Sequence, residues 1–176
     1  MAGDAPVVTG EIVVDARPAP AISVAFALVK GAKPELVVQK LTELGVDHVR
    51  PFVAARSVVR WDDAKAASAL DRWQKVAAEA GRQSRQAWLP EVHALAPFSA
   101  VAALAGAHRA DRGGPALPGG IHTVLVGPEG GWDKAELAAP LATVGLGPGV
   151  LRAETAAITA GALLAALRSG IVAPAG

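Results

Sequence analysis

Two short stretches hold the residues best suited to chemistry. Gly127-Pro128-Glu129-Gly130-Gly131-Trp132 follows an apolar run, and Leu146-Gly147-Pro148-Gly149-Val150-Leu151-Arg152-Ala153-Glu154-Thr155-Ala156 precedes the last helical pattern. Glycine-rich turns expose N–H and C=O groups that a bulky flat ligand can approach closely, so the backbone rather than side chains becomes the binding surface. The two stretches read as halves of one cofactor pocket. Gly127 to Gly131 does not satisfy G-x-G-x-x-G, and no strand-end acid follows at the distance a dinucleotide site needs. No Gly-Lys-Ser/Thr occurs, which excludes a P-loop. The absence of cysteine excludes disulfides, thiolate metal sites and cysteine nucleophiles. His48, His93, His108 and His122 show no spacing suited to a metal, and no metal is expected.

The elements that must hold these turns are legible from periodicity. Ala21 to Val29 reads as a buried strand ending at Lys30-Gly31, and Pro34 stands where a helix begins, with Glu35 in its first turn. Leu36, Val37, Lys40, Leu41 and Leu44 keep helical spacing, Gly45 ends that helix, and Val46 to Val53 is a second strand. Asp62 to about Gln86 is helical, with Leu70, Trp73, Ala77 and Ala80 on a stripe predicted to be buried. Leu89 to Leu95 reads as a strand interrupted at Pro90, Ser99 to Leu104 as a short helix, and Gly106 to Gly120 as a mobile Gly/Pro-rich loop. Ile121 to Val126 is a strand, Lys134 to Thr143 a helix bent or cut at Pro140, and Glu154 to Arg168 a final helix. Glu11 to Val14 reads as a short strand before the Arg17-Pro18-Ala19-Pro20 linker. Strands alternating with helices imply a mainly parallel sheet covered on both faces.

The 176 residues suit one domain with a real core. Hydrophobic residues make up 52% and charged ones 19%, yet no run nears the roughly 18–20 apolar residues that span a bilayer, so a soluble, cytoplasmic protein is expected. Net charge is +1, too small for a global pull towards nucleic acid, but Lys30 to Gln86 holds eleven Lys/Arg against seven Asp/Glu. That half permits a phosphate-binding surface.

With these residues in view, the chain resembles the ribosomal small-subunit RNA methyltransferase E family of the SPOUT superfamily. The likeness rests on Lys30-Gly31, Gln39 to Val46, Arg56-Ser57, Arg72-Trp73, Glu79-Ala80, Gln83-Ser84-Arg85 and the two glycine-bearing stretches, in order from about residue 24 to 168. It implies an α/β fold, a SPOUT-type mainly parallel sheet with helices on both faces and a C-terminal trefoil knot. It implies transfer of methyl from S-adenosyl-L-methionine to N3 of a uridine in 16S ribosomal RNA, on free RNA or on the small subunit. A homodimer with the active site beside its interface, helped by the final helix, is implied too. By this likeness Val126, Gly127, Pro128, Glu129, Gly130, Gly131, Leu146, Gly147, Leu151 and Arg152 line the cofactor pocket. Lys30, Arg56, Arg60, Arg82, Gln83 and Arg85 are the candidates for RNA. Family members carry a PUA-like domain first, so residues 1–20 are expected to be its remnant and a linker, and 21–172 the methyltransferase domain. The chain departs from the family at Gly149, often arginine, and at Ala153, often threonine.

Methylating uracil N3 requires loss of its proton, and the resulting charge spreads onto O2 and O4. Within the resemblance, Arg152 is the cation for that charge, and Glu154 is the base or the residue that orients it. Trp132 is expected to pack under the cofactor loop, and Trp73 in the core. Two other readings stay open: a non-catalytic RNA-binding or ribosome-assembly module on a degenerate SPOUT fold, and a SPOUT ribose 2′-O-methyltransferase.

Overall fold

A computed structural model describes residues 9–11, 14, 16–31, 33–57, 59 and 61–174. The central strand β1 (Ser23–Ala27) is buried along its whole length, which suits a run of Ser, Val, Ala and Phe enclosed on both faces. Helix α1 (Lys33–Glu43) carries Pro34 in its first turn, where a missing N–H costs nothing, and Gly45 just beyond its end has φ +73°. Strand β2 (His48–Val53) then pairs parallel with β1, completing a βαβ unit. Asp62 caps α2 (Asp63–Gln83) by accepting from the Lys65 N–H, and Ala69, Trp73, Ala77 and Ala80 face inward.

The remaining elements are β3 (Glu91–Val92), β4 (Ala96–Pro97), α3 (Phe98–Ala102), β5 (Ala107–Ala110), β6 (Thr123–Val126), α4 (Lys134–Leu137), β7 (Ala142–Val144) and α5 (Ala153–Arg168). Every ladder is parallel, in the order β3-β2-β1-β6-β5-β7, with β4 also pairing β2. One face carries the larger core, in which Val24, Phe26, Val49 and Val124 meet Val37, Leu41, Trp73, Ala160 and Leu164 of α1, α2 and α5. The other gathers Ala25, Ala27, Phe52, Leu125, Val101 and Trp132.

Three expectations need correction. Gly106 to Gly120 is not all loop, because β5 lies within it, paired between β6 and β7. Its Arg109 is buried, with Nη1 donating to the Glu136 and Leu137 carbonyls while Nε has no partner among the described residues, so an interior strand reads as polar sequence. The helix expected from Lys134 to Thr143 stops at Leu137, and the residues after Pro140 form β7. The strand expected over Leu89 to Leu95 is reduced to β3, Glu91–Val92, and the chain returns to β2 only past that span, at β4. The expected Glu11 to Val14 strand depends on Ile12 and Val13, which lie outside the described residues.

The segments leaving β5 and β7 cross at two glycines. Gly145 N–H donates to the Pro115 carbonyl at 2.7 Å, and Asp111 N–H donates to Val144 at 2.9 Å. A Cβ on Gly114 would stand 2.6 Å from the Val144 carbonyl carbon, and one on Gly145 would run into the Gly114 carbonyl oxygen. Only glycine on both sides lets the two backbones approach this closely.

Candidate active site

The C-terminal ends of β1, β6, β5 and β7 open onto one cavity of about 610 Å³. Ligands of parallel α/β proteins settle at this edge, because the strand-to-helix loops gather there. Its walls are the two glycine bends, Val126 to Glu129 with Gly131 and Trp132 on one side, Leu146, Gly147 and Gly149 to Ala153 on the other. Both halves of the expected pocket therefore meet. Of the ten residues expected to line it, only Gly130 does not; its carbonyl accepts from the Arg56 guanidinium at 3.1 Å on the outer side of the turn.

The first bend is held from below. A Cβ on Gly127 would lie 2.8 Å from the Trp132 indole, so that position has no room for a side chain. Trp132 donates Nε1–H to the Ala110 carbonyl at 3.0 Å and stacks on Phe52, the rings 6.1 Å apart and 5° from parallel. It packs under the turn, as its position in the sequence predicts, and also reaches the cavity wall. Pro128 and Gly131 close the turn through a 2.9 Å backbone bond, with Gly131 at φ +72°. Asp133 and Glu136 then form a capping box at the start of α4, and the buried Glu136 also accepts from the Ala55 N–H beyond β2. The turn is thus fixed to two strands it does not belong to.

Charge at the cavity centres on a residue that sequence reasoning missed. Lys33 lines the wall, its Nζ 2.6 Å from Glu129 Oε1 and 3.4 Å from Glu154 Oε2. The hydrogen bond from Lys33 draws the Glu129 carboxyl below its ordinary value of 4.5, helped by the positive fields of Lys33, Arg152 and Lys30. In turn the hydrogen bond to Glu129 holds Lys33 above 10.5, against desolvation and with lesser help from Glu154. A signal existed in the sequence: a lysine in the first turn of α1 opposes the helix dipole and calls for an acidic partner elsewhere.

The two expected catalytic residues differ. Arg152 is the N-cap residue of α5 and lines the cavity, and among the described residues its side chain forms no hydrogen bond or ion pair. Glu154 is not among the lining residues; its side chain is 12% exposed, and Oε2 lacks a hydrogen-bond partner although it faces Lys33. The RNA candidates are also divided. Lys30, in the β1–α1 connection, and Arg56, beside Gly130, flank the cavity. Arg82, Gln83 and Arg85 lie exposed at the far end of α2, a helix about 30 Å long, while Arg60 is outside the described residues.

The parallel sheet, its helical layers and a cavity built from backbone bends define an α/β protein whose ligand site lies at the C-terminal edge of its strands. The chain belongs to the RNA methyltransferase domain family, whose pattern matches residues 17–165. It is 36% identical over 161 residues to ribosomal RNA small subunit methyltransferase E of Bacillus subtilis, covering 79% of this chain and 63% of that protein. Its counterpart in Mycobacterium bovis is 36% identical over 160 residues, covering 80% and 61%. The chain thus spans less than two thirds of the length of these relatives. A crystal structure of ribosomal RNA small subunit methyltransferase E from Neisseria gonorrhoeae bound to S-adenosyl methionine superposes with a TM-score of 0.75. That match has 28% identity over 89% of this chain and 70% of the other. No helix among the described residues is long and apolar enough to cross a membrane.

Proposed function

We propose that this chain binds S-adenosyl-L-methionine in the cavity and methylates N3 of a uridine in 16S ribosomal RNA. The observation that carries the reading is the meeting of two sequence-distant glycine bends around one cavity of about 610 Å³, within the 300–1,000 Å³ range of small-molecule sites. The residues present fit the cofactor. Gly147 and Gly149 have nothing within 4 Å of a would-be Cβ, so bare backbone faces the cavity for polar contacts. Val126, Trp132, Leu146, Leu151 and Ala156 supply apolar wall for a flat ring.

When bound, S-adenosyl-L-methionine supplies an activated methyl group on a sulfonium. The rest falls to the protein. Arg152, which lines the cavity and has no side-chain partner among the described residues, is the cation for charge developing on the uracil oxygens. Glu154, turned to Lys33 rather than to the cavity, holds that lysine and through it Glu129, so its part is positioning rather than direct proton removal. Lys30 and Arg56 are the phosphate contacts nearest the cavity, and Arg82, Gln83 and Arg85 serve a more distant stretch of RNA.

The finer expectations belong to the same reading. The Gly114–Gly145 crossing supports a C-terminal segment threaded as a trefoil knot. Val150 and Leu151, exposed at the cavity rim, support a second copy of the chain against this edge as a homodimer. Residues 21–172 act as the methyltransferase domain, in the cytoplasm. The test is a methylation assay on small subunits lacking the modification, read by nucleoside mass spectrometry, with calorimetric titration of S-adenosylhomocysteine. Methyl on uridine N3 supports the reading. Methyl on ribose O2′ would transfer it to the other chemistry of the superfamily, and no binding of the homocysteine product would favour a non-catalytic RNA module.

A further inference from the structure

The opposite end of the sheet carries a second cluster of reactive side chains. His48 opens β2 and Glu91 opens β3, and the parallel register sets them directly opposite each other. Two residues further along, on the same face by strand alternation, come Arg50 and His93. His48 Nδ1 lies 3.2 Å from His93 Nε2 and 3.4 Å from Glu91 Oε2, while His93 Nδ1 lies 3.4 Å from Glu91 Oε1. One ligand atom from each of the three residues falls within 4.8 Å of the other two.

Ordinary hydrogen bonding accounts for this cluster only in part. Arg50 donates Nε–H to Ser23 Oγ at 3.2 Å and approaches His93 Nδ1 at 3.3 Å. If Nδ1 accepts there, His93 carries its proton on Nε2 and gives it to His48 Nδ1. The Glu91 carboxylate is left facing both rings at 3.4 Å, and among the described residues it accepts no hydrogen bond. Water can reach the exposed carboxylate, but a cation between Glu91 and the two rings would engage the carboxylate and an imidazole lone pair from each histidine at once.

The spacing matches one. Bonds of about 2.0–2.1 Å at tetrahedral angles separate neighbouring ligand atoms by roughly 3.3–3.4 Å, beside the 3.2 and 3.4 Å edges found here. Two imidazoles and one carboxylate are the donor set of open zinc sites, softer than the all-oxygen shells of magnesium or calcium. We propose that His48, His93 and Glu91 form a site for a divalent transition ion such as zinc, cobalt(II) or nickel(II), with solvent completing the shell. With Nε2 on the ion, His93 turns its Nδ1–H to Glu91 Oε1, the carboxylate partner that metal-bound histidines usually have. Arg50 keeps Ser23 as the acceptor of its Nε–H, while its Nη1, now 3.3 Å from His93 Nδ1, has to turn away from the protonated nitrogen. The ion ties the two-residue strand β3 to β2 at the sheet margin, and Glu91, exposed at the surface, leaves a route for it to enter.

The experiment is titration of cobalt(II) into the untagged full chain after EDTA treatment, followed by visible absorption and calorimetry, with zinc as competitor. One ion per chain should bind, give a d–d band, and be displaced by zinc. His48→Ala and His93→Gln should each weaken binding roughly tenfold or more, with melting in EDTA near that of the native chain. Glu91→Gln, at an exposed position, carries the test should either histidine variant fail to fold. No uptake at millimolar cobalt, or uptake retained by the variants, overturns the site. Neither readout involves methyl transfer, so the result is independent of the proposed activity.

Discussion

The two ends of the parallel sheet are built on opposite principles. At the C-terminal ends of the strands, loops bring backbone to the surface, and glycine lets that backbone line the cavity because it has no side chain. At the N-terminal ends, side chains of neighbouring strands converge, and His48 and His93 meet although 45 residues separate them. A backbone site is written in contiguous sequence, since each bend is a local motif. A cross-strand site is written in the register of a ladder, which no spacing rule along one chain can detect.

That difference is open to breaking, most forcefully at the glycine end. Arg152→Ala should lower methylation by roughly 10²–10³ with cofactor-product affinity nearly unchanged. Single-turnover assay beside calorimetry separates the two, and a loss confined to affinity would make Arg152 a wall residue. Next in size, Gly145→Ala forces a methyl group into the Gly114 carbonyl and should cost about 1–3 kcal/mol in denaturant unfolding. Gly149→Ala, with open space and no positive φ, should stay within about 0.5 kcal/mol. Equal effects would mean that the crossing does not demand glycine.

The ends should also part in their response to acid. Burial, and next the Arg50 guanidinium, hold His93 below its ordinary 6.5, against the pull of Glu91. As pH falls just below 6.5 the unfolded chain takes up a proton that the folded chain still refuses, so stability declines with acidification in that window. Thermal melts in EDTA should show the decline in the native chain, and His93→Gln should flatten it. The Lys33–Glu129 pair responds in different windows: Glu129 sits below 4.5 and Lys33 above 10.5, so the link persists between those values and opens as pH drops through the lowered carboxyl or rises through the raised lysine. Binding of S-adenosylhomocysteine should therefore vary little from pH 6 to 9 through this pair, the smallest effect of the four.

Particular residues show how far sequence reading reaches. Pro34, Gly45, Asp62 and the Ala-Trp-Ala stripe of α2 mark element ends and faces because capping and periodicity are local. The cavity was legible for the same reason, all but one of its expected residues lying on its wall. β5 was not, since the buried Arg109 hides an interior strand, and its carbonyl partners come from residues 27 and 28 positions away. Lys33 escaped because its meaning lies in Glu129 and Glu154, which only folding brings to it. Glu154 shows the converse: a motif identified the residue, but only the fold revealed that it faces a lysine rather than the cavity.

Placing Trp132 against both the glycine bend and the cavity wall gives the protein a built-in optical gauge. Its indole, one of four in the chain, is anchored to Ala110 and stacked on Phe52. With Trp61, Trp73 and Trp88 replaced by Phe, the emission of Trp132 alone would report in real time on a molecule entering the cavity, without a label and without waiting for chemistry.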